Sequence, residues 1–307
     1  MLATIKKTIK HNLAVYFMVL ACLDFALVGA CAKILSDELP SIEIMFFRNI
    51  IGVAFMLYLL SKVKIHKEGG HFWLLFFRGL TGAISLYLFF YNVSSISLSG
   101  AFAFQKTSPI FITLIALFVF GERVGLKGWI GIFIAFGGVL LVSQPWAHPD
   151  MHTGFDFKNS IIGIISGFFA ALALVSVRKL RGFYATEQVA FSFIFMGALL
   201  PLISMTIAEF YAPKELDFML APFVMPSLKS WIFIVIMGAI GTIYQIHTTK
   251  SYGVAKKAGI VAGVSYLDVV FSFILGLFLG DSFPSAMVFI GIVGIILGGL
   301  ILVYRKD

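Results

Sequence analysis

The sequence predicts an all-α integral membrane protein whose ten transmembrane helices form two inverted repeats of five. The first observation is composition: 60% of the 307 residues are hydrophobic and only 12% are charged, which leaves more apolar surface than a soluble domain can bury. The second is a set of four glycines that recur in the second half, always 159 residues later. The pairs are Gly79 and Gly238, Gly82 and Gly241, Gly100 and Gly259, and Gly121 and Gly280. A repeat with an odd number of spans enters the membrane in the opposite orientation the second time.

Ten apolar segments are each long enough to cross a membrane, because a hydrocarbon core of about 30 Å needs about 20 residues of helix. We place them at residues 13–35, 42–61, 72–92, 97–119, 126–144, 159–180, 186–210, 230–252, 256–279 and 285–304. The first segment follows Lys6, Lys7 and Lys10 as in a signal peptide, but it is too long and lacks a small-residue cleavage site, so we expect a retained helix. The breaks are short, and we expect no extramembrane catalytic domain.

The duplication divides the chain into two predicted domains. Residues 1–150 form the first five-helix repeat and residues 151–307 the second, inverted one. The segment Phe136-Gly-Gly-Val-Leu-Leu-Val142 resembles Leu297-Gly-Gly-Leu-Ile-Leu-Val303 near the end of each repeat. Earlier helices match at a smaller spacing, which places an insertion in the loop after Tyr211.

Positive charge marks one side of the predicted protein. Most of the 23 Lys and Arg residues fall in segments that are cytoplasmic if the N-terminus is inside. These cations are Lys6, Lys7, Lys10, Lys62, Lys64, Lys67, Arg123, Lys127, Arg178, Lys179, Arg181, Lys256, Lys257, Arg305 and Lys306. The loop at 92–97 is uncharged, whereas its repeat equivalent near 253–259 is basic, as inverted repeats require. We predict a multi-pass protein of the cytoplasmic (inner) membrane with both termini inside.

The sequence indicates no other class of site. Cys22 and Cys31 lie about 180° apart on one helix and cannot pair with each other. No histidine or cysteine spacing suits zinc, and no glycine run forms a nucleotide loop, so we predict no metal, no cofactor and no ATPase. Membrane orientation accounts for the net charge of +8, so we expect no nucleic-acid partner.

Four short motifs resemble the EamA-type transporters of the drug/metabolite transporter superfamily. They are Glu43-Ile-Met-Phe-Phe-Arg48-Asn49, Phe77-Arg78-Gly79, Ser108-Pro109-Ile-Phe111 and Phe120-Gly121-Glu122-Arg123. The Phe-Phe-Arg and Arg-Gly elements are most similar to S-adenosylmethionine transporters and the G branch of solute carrier family 35. The resemblance implies that helices 1 to 4 and 6 to 9 surround a central cavity, that helices 5 and 10 are peripheral, and that transport proceeds by alternating access.

Five charged residues lie inside the predicted spans, where an ionisable group costs at least about 2.5 kcal/mol on insertion scales and needs a partner or a function. They are Asp24, Arg48, Arg78, Lys106 and Asp268. Lys106 is too deep in the fourth helix to snorkel, and it shares a helical face with Ser99 and Thr113. We interpret it as a substrate ligand, or as one half of a buried ion pair with Asp24 or Asp268.

The other four charges have alternative interpretations. The planar fork of Arg48 suits a carboxylate or phosphate, although Glu43 or a lipid headgroup could also pair with it. Arg78 lies near the cytoplasmic end of helix three, where its side chain could snorkel to the interface or face the cavity. Asp24 and Asp268 lie near mid-membrane, and either could carry a proton or neutralise the cation of helix four.

Uncharged polar side chains complete the predicted substrate site. They are Tyr87, Gln105, Gln245 and Tyr266. Gln245 shares one face of the eighth helix with Gly238 and Gly241, so we expect that face to turn toward protein or a wet cavity. His247 lies on the opposite face, and we interpret it as a packing residue.

These residues favour a secondary transporter over an enzyme. The leading hypothesis is transport of a small polar metabolite with an anionic group, of the S-adenosylmethionine or organic-acid type. One alternative is a proton-coupled exporter of cationic or amphiphilic compounds, and a remote one is a lipid-modifying membrane enzyme. A basic cavity would favour anions and an acidic one cations. Direction and coupling to protons or to exchange stay open, and we favour a monomer over a homodimer.

Overall fold

The computed structural model describes residues 13–62, 69–120, 125–143, 157–213, 216–255, 261 and 264–303. These residues form eleven α-helices and no β-strand. In chain order they are α1 (Leu13–Leu35), α2 (Ser41–Lys62), α3 (Phe72–Ser95), α4 (Leu98–Gln105), α5 (Ser108–Phe120), α6 (Leu126–Ser143), α7 (Phe157–Phe183), α8 (Thr186–Ala208), α9 (Leu228–Val254), α10 (Leu267–Phe278) and α11 (Ala286–Val303). The predicted all-α class is confirmed for this part of the chain.

Six of these helices, namely α1, α2, α3, α7, α8 and α9, are long and apolar enough to cross a membrane. They match the predicted spans 1 to 3 and 6 to 8 to within a few residues. Helices α6, α10 and α11 are apolar but shorter. Part of the ninth predicted span lies outside the described residues, as do Gly121, Gly259 and many of the charges used to predict the orientation, such as Lys6 and Lys256.

The fourth predicted span is two helices rather than one. Helix α4 ends at Gln105 and α5 begins at Ser108, with Lys106 and Thr107 in a turn between them. Pro109 explains the break, because its ring would clash with the carbonyl of Gln105 four residues earlier in a continuous helix. The predicted common face of Ser99, Lys106 and Thr113 is therefore wrong, since the turn interrupts the helical register.

Helix packing brings the two halves of the chain together throughout the bundle. Helix α1 packs along α9, α3 along α7, and α2 along α8, while α3 also contacts α8 and α9 also contacts α2. Glycines permit the closest approaches: a Cβ atom on Gly79 would lie 2.5 Å from the carbonyl oxygen of Ser192, and one on Gly238 would lie 2.7 Å from Ile51. Small residues thus let the backbones of neighbouring helices come together.

The glycine-rich faces of α6 and α11 pack against each other within the chain. A Cβ atom on Gly138 would lie 2.6 Å from the carbonyl oxygen of Gly291, and one on Gly298 would lie equally close to that of Gly131. The sequence left open whether these faces pack within or between molecules. In the structure they are covered by each other.

The loop between α8 and α9 folds back over one end of the bundle, where carboxylates hold it. Oε1 of Glu38 accepts a hydrogen bond from the backbone nitrogen of Ser227 at 2.5 Å, and its Oε2 accepts from the hydroxyls of Ser227 and Ser230. Glu43 accepts from the nitrogen of Val224 at 2.9 Å. Glu38 thus caps the first turn of α9, where unpaired backbone N–H groups favour a negative charge.

Candidate functional site

A buried ion pair joins the break between α4 and α5 to the first turn of α10. The Nζ of Lys106 lies 2.6 Å from Oδ2 of Asp268, and the two side chains are only 9% and 4% exposed. Of the two partners predicted for Lys106, the structure therefore selects Asp268. Because Lys106 ends α4 in the turn, its side chain leaves the helix and reaches across to the other half of the protein.

Two further residues surround Lys106. Its Nζ donates a hydrogen bond to Oγ of Ser265 at 3.2 Å, and the hydroxyl of Tyr266 donates to its backbone carbonyl at 3.4 Å. Ser265 and Tyr266 form a turn immediately before α10. Two interruptions of helical structure thus meet at this point, and interrupted helices are the usual location of binding sites in transporters.

Arg48 lies inside the bundle with an exposed fraction of 1%. Its Nη1 donates to Oδ1 of Asn49 at 2.8 Å and its Nη2 to the carbonyl of Gly241 at 3.2 Å, whereas its Nε has no partner among the described residues. Glu43 does not form the predicted pair with it, because that carboxylate bonds the loop at Val224. Burial also excludes a contact with lipid headgroups in this conformation.

Arg78 does not snorkel to the interface, which corrects the interpretation based on its sequence position. Its side chain is 2% exposed, and the guanidinium carbon lies 5.0 Å from the ring centroid of Phe193 on α8. The physical reason is that Gly79 allows α8 to approach α3 and cover this residue. Its Nε and Nη1 are buried without a hydrogen-bond partner among the described residues.

Both arginines are connected to α8, Arg78 directly and Arg48 through Asn49. Arg78 stacks on Phe193, and the Asn49 amide beside Arg48 donates to the carbonyl of Gly197, one helical turn further along α8. Among the described residues, neither has a carboxylate oxygen within 4.0 Å. The two guanidinium groups therefore carry positive charge that no carboxylate among the described residues pairs with.

Asp24 is paired with His247, which the sequence predicts to be a packing residue. Its Oδ2 lies 2.7 Å from Nδ1 of His247, and the side chains are 18% and 21% exposed. Asp24 therefore does not neutralise Lys106. His247 lies on the face of α9 opposite Gly238, and this face packs against α1. Asp24 is the one aspartate of α1, so the helical position of His247 could have predicted the pair.

The remaining predicted site residues are distributed between two places. Gln245 is buried one helical turn from Gly241, whose carbonyl accepts a hydrogen bond from Arg48. Gln105 instead ties three helices together, since its Nε2 donates to Ser85 at 3.2 Å and its Oε1 accepts from Ser166 at 2.6 Å. Although Gln105 precedes Lys106 in the sequence, its amide bonds to Ser85 and Ser166 and not to the Lys106–Asp268 pair.

Tyr87 lies apart from these charges. Its hydroxyl donates to the carbonyl of Met219 at 2.5 Å, and its side chain lines a cavity of about 590 Å³ between α3, α7 and α8. The walls are mainly aliphatic, and Lys158 and Ser204 are among the few polar residues there. The structure thus does not bring Tyr87 together with the other predicted ligands.

Comparison with known proteins places the chain in a family. The model of the EamA-like transporter family matches residues 12–144. An uncharacterized transporter of Helicobacter pylori strain J99 is 31% identical over 292 residues, which cover 94% of this chain and 93% of the relative. The chain belongs to the EamA-like transporter family. The family resemblance inferred from the four motifs is confirmed, and the chain is a transporter of this family.

More distant relatives carry more specific names. The pseudopaline exporter CntI of Pseudomonas aeruginosa strain UCBPP-PA14 is 27% identical, with 90% of this chain and 91% of the relative covered. An S-adenosylmethionine uptake transporter of Rickettsia prowazekii is 22% identical, with 90% and 87% covered. A crystal structure with 17% sequence identity superimposes with a TM-score of 0.63 over 95% of this chain and 97% of the other, which supports the fold alone.

Proposed function

We propose that the protein is a secondary transporter of a small polar metabolite that bears an anionic group. The observation that carries this proposal is the pair of buried guanidinium groups, Arg48 and Arg78, which have no carboxylate partner among the described residues. A buried charge without a partner destabilises a protein by roughly several kcal/mol, even after the surrounding structure has relaxed. A substrate anion would provide the missing countercharge, and the planar fork of arginine is suited to carboxylate and phosphate oxygens.

We further propose that transport proceeds by alternating access between two inverted five-helix repeats, residues 1–150 and 151–307. The helix contacts support this arrangement. If α1, α2 and α3 correspond to α7, α8 and α9, exchanging the halves converts the α1–α9 contact into the α7–α3 contact, and both are present. The repeat-equivalent glycines Gly79 and Gly238 likewise lie at equivalent close approaches, one facing the backbone of Ser192 and the other that of Arg48.

We propose that both termini lie on the cytoplasmic side of the inner membrane. The distribution of positive charge along the sequence supports this orientation. The names of the relatives include an uptake protein and an exporter, and so the proposal does not include a direction. Organic acids and S-adenosylmethionine, which carries a carboxylate, are the first compounds to test.

The main alternative is a proton-coupled exporter of cationic or amphiphilic compounds. It requires Asp24 or Asp268 to be free to exchange a proton for a cation. The structure pairs Asp268 with Lys106 and Asp24 with His247, while the arginines add positive charge. This balance favours an anionic substrate. The relatives' names also count against a lipid-modifying enzyme.

A ligand screen tests the proposal directly. The purified full-length protein in lipid nanodiscs is heated with a library of anionic, neutral and cationic metabolites, because a ligand at 100 times its Kd stabilises the folded state by about 2.7 kcal/mol. Hits are then assayed for counterflow in proteoliposomes. We expect stabilisation and counterflow by compounds with a carboxylate or phosphate group. Stabilisation by cationic compounds alone would support the alternative instead.

A further inference from the structure

The cavity beside Tyr87 lies where α3 packs against both α7 and α8. Its volume of about 590 Å³ falls within the range of about 300–1,000 Å³ that is typical of ligand pockets. Six aliphatic side chains from these three helices form most of its walls, namely Ile84, Leu88, Ile161, Ile162, Ile165 and Leu200. Such walls offer few hydrogen-bond partners to water, so the cavity is suited to an apolar ligand.

One wall of this cavity belongs to the outer surface of the bundle. Ile161 and Ile165 of α7 line the cavity and are 40% and 41% exposed. Because α7 is long and apolar enough to cross a membrane, its exposed aliphatic side chains contact the acyl chains of the bilayer. The described lining residues include neither arginine of the proposed substrate site. The cavity is therefore accessible to lipid and separate from that site.

The polar end of the cavity lies where a spanning helix reaches the membrane interface. Lys158 is in the first turn of α7 and lines the cavity, and its side chain is 39% exposed. Its Nζ lies 2.5 Å from Oδ1 of Asp217 and 5.1 Å from the ring centroid of Tyr91. A lysine at the end of a spanning helix extends its ammonium group to the level of the lipid headgroups. The cavity thus combines aliphatic walls with a cation at its interfacial end.

Lys158 can bind an anion without leaving a buried charge unpaired. An ammonium group has three N–H donors, and Asp217 can share it with a second acceptor. The Asp217 side chain is 52% exposed and also accepts a hydrogen bond from the hydroxyl of Tyr91 at 3.3 Å. If an anion drew Lys158 partly away, water and Tyr91 would still solvate the carboxylate.

We propose that this cavity binds an acyl chain of a membrane phospholipid whose phosphate group lies beside Lys158. From Lys158 to Ile165, α7 rises by about 10 Å, which is less than the half-thickness of a hydrocarbon core of about 30 Å. The chain can therefore fill the cavity while its headgroup stays at the interface. The inference concerns a second site and does not rest on the proposed substrate.

The bound lipid contacts both halves of the protein. The cavity is lined by α3 from the first half, by α7 and α8 from the second, and by Met219 of the loop after α8. The hydroxyl of Tyr87 donates to the carbonyl of Met219 within the same wall. Because a ligand stabilises the conformation that it binds, the lipid favours the packing of α3 against α7 and α8.

Photolabelling tests whether an acyl chain occupies the cavity. The full-length protein is placed in phosphatidylcholine nanodiscs with a small fraction of phosphatidylglycerol that carries a diazirine on an acyl chain, and labelled peptides are identified by mass spectrometry. The reference surface is the exposed face of α9 at Ile232, Val235 and Ile236. We expect the segments 84–88 and 161–165 to be labelled about tenfold more than this reference, a preference worth about 1.4 kcal/mol.

Filling the cavity should remove the preference. Ser204 lines the cavity, so Ser204→Phe places a ring inside it. Thr206→Phe is the matched control, because Thr206 is exposed on the same helix and its hydroxyl bonds the carbonyl of Leu202. We expect labelling of the cavity to fall to the reference level in Ser204→Phe alone. Excess unlabelled phosphatidylglycerol should have the same effect on the unmodified protein, which keeps the test valid if Ser204→Phe does not fold.

A second comparison tests the contact between Lys158 and the phosphate. Diacylglycerol with the same diazirine chain lacks the phosphate, and we expect it to label the cavity about tenfold less than phosphatidylglycerol does. Lys158→Gln should make the two lipids equal. Lys229→Gln, at an exposed lysine in the first turn of α9, should keep the difference.

Three results would overturn the lipid site. They are equal labelling of the cavity and the reference surface, cavity labelling that persists in folded Ser204→Phe, and equal labelling by the two lipids in the unmodified protein. Displacement of the label by a compound that the protein transports would also overturn it, because the cavity would then belong to the transport pathway.

Discussion

Lys106 donates a hydrogen bond to Ser265, and the two residues are separated by 159 positions, the interval that also separates the repeated glycines. In the proposed inverted-repeat arrangement, a residue contacts its own equivalent only near the axis that relates the two halves. Lys106 and Ser265 would therefore mark that axis. The first repeat has the ammonium group of Lys106 at this position, and the second repeat has the hydroxyl group of Ser265. The two halves therefore differ chemically at the point where their helices are interrupted.

Removing one member of the buried ion pair should destabilise the protein strongly. We expect Lys106→Met to lower the free energy of unfolding by about 3–5 kcal/mol, because Asp268 is then left charged and unpaired. The double change Lys106→Met with Asp268→Leu should recover most of this loss. Thermal unfolding in detergent measures both. Lys158→Met, which breaks the exposed pair with Asp217, is the control and should cost no more than about 1 kcal/mol. Equal costs for both lysines would contradict the burial argument.

Replacing the fork of Arg48 should impair transport even though the charge is kept. Arg48→Lys cannot bond Asn49 and Gly241 together and also present a donor to substrate, because an ammonium lacks the planar geometry. We expect counterflow to fall at least about tenfold, a loss worth about 1.4 kcal/mol, with the protein still folded. The matched control is Arg181→Lys, at a guanidinium that bonds the carbonyl of Tyr184 near the end of α7. Unchanged counterflow in Arg48→Lys would remove the fork from the site.

Close helix approach makes Gly79 intolerant of a side chain. A Cβ atom there would lie 2.5 Å from the backbone carbonyl oxygen of Ser192, so α3 and α8 must separate. We expect Gly79→Ala to cost about 1–3 kcal/mol, as overpacking usually does. Gly137→Ala provides the comparison, since nothing lies within 4 Å of that position. Melting temperatures of the two variants should differ clearly, and an unshifted Gly79→Ala would show that α8 adapts.

The cap formed by Glu38 should make stability depend on acid pH. Hydrogen bonds from the Ser230 and Ser227 hydroxyls and the Ser227 nitrogen hold the pKa of Glu38 below its ordinary value of 4.5. A depressed folded-state pKa adds stability that is present above the ordinary value and is lost as pH falls through the lowered one. Glu38→Gln should thus melt below the parent at pH 7, and the gap should close as the pH falls below about 4.5. Asp37→Asn, in the same turn, is the control. A gap that is independent of pH would contradict the ionic cap.

Much of the architecture could be predicted from composition and spacing. Twenty or so consecutive apolar residues have few options in a membrane other than a helix, so six predicted spans reappear as α1, α2, α3, α7, α8 and α9 with little change. The motifs around Arg48 and Arg78 were sufficient to indicate the family. Pro109 is present in the sequence as well, but the prediction of one continuous span does not include the break that it causes beside Lys106.

By itself, the sequence determined which residues are too polar for lipid, since the cost of a charge in hydrocarbon depends only on the residue and its depth in an apolar segment. Only the tertiary structure decided how each charge is compensated. Contacts between helices far apart in the chain pair Lys106 with Asp268 and Asp24 with His247. The same contacts leave Arg48 and Arg78 without a carboxylate partner among the described residues. Pairing depends on distances of a few ångströms across these interfaces, and no local pattern of residues encodes them.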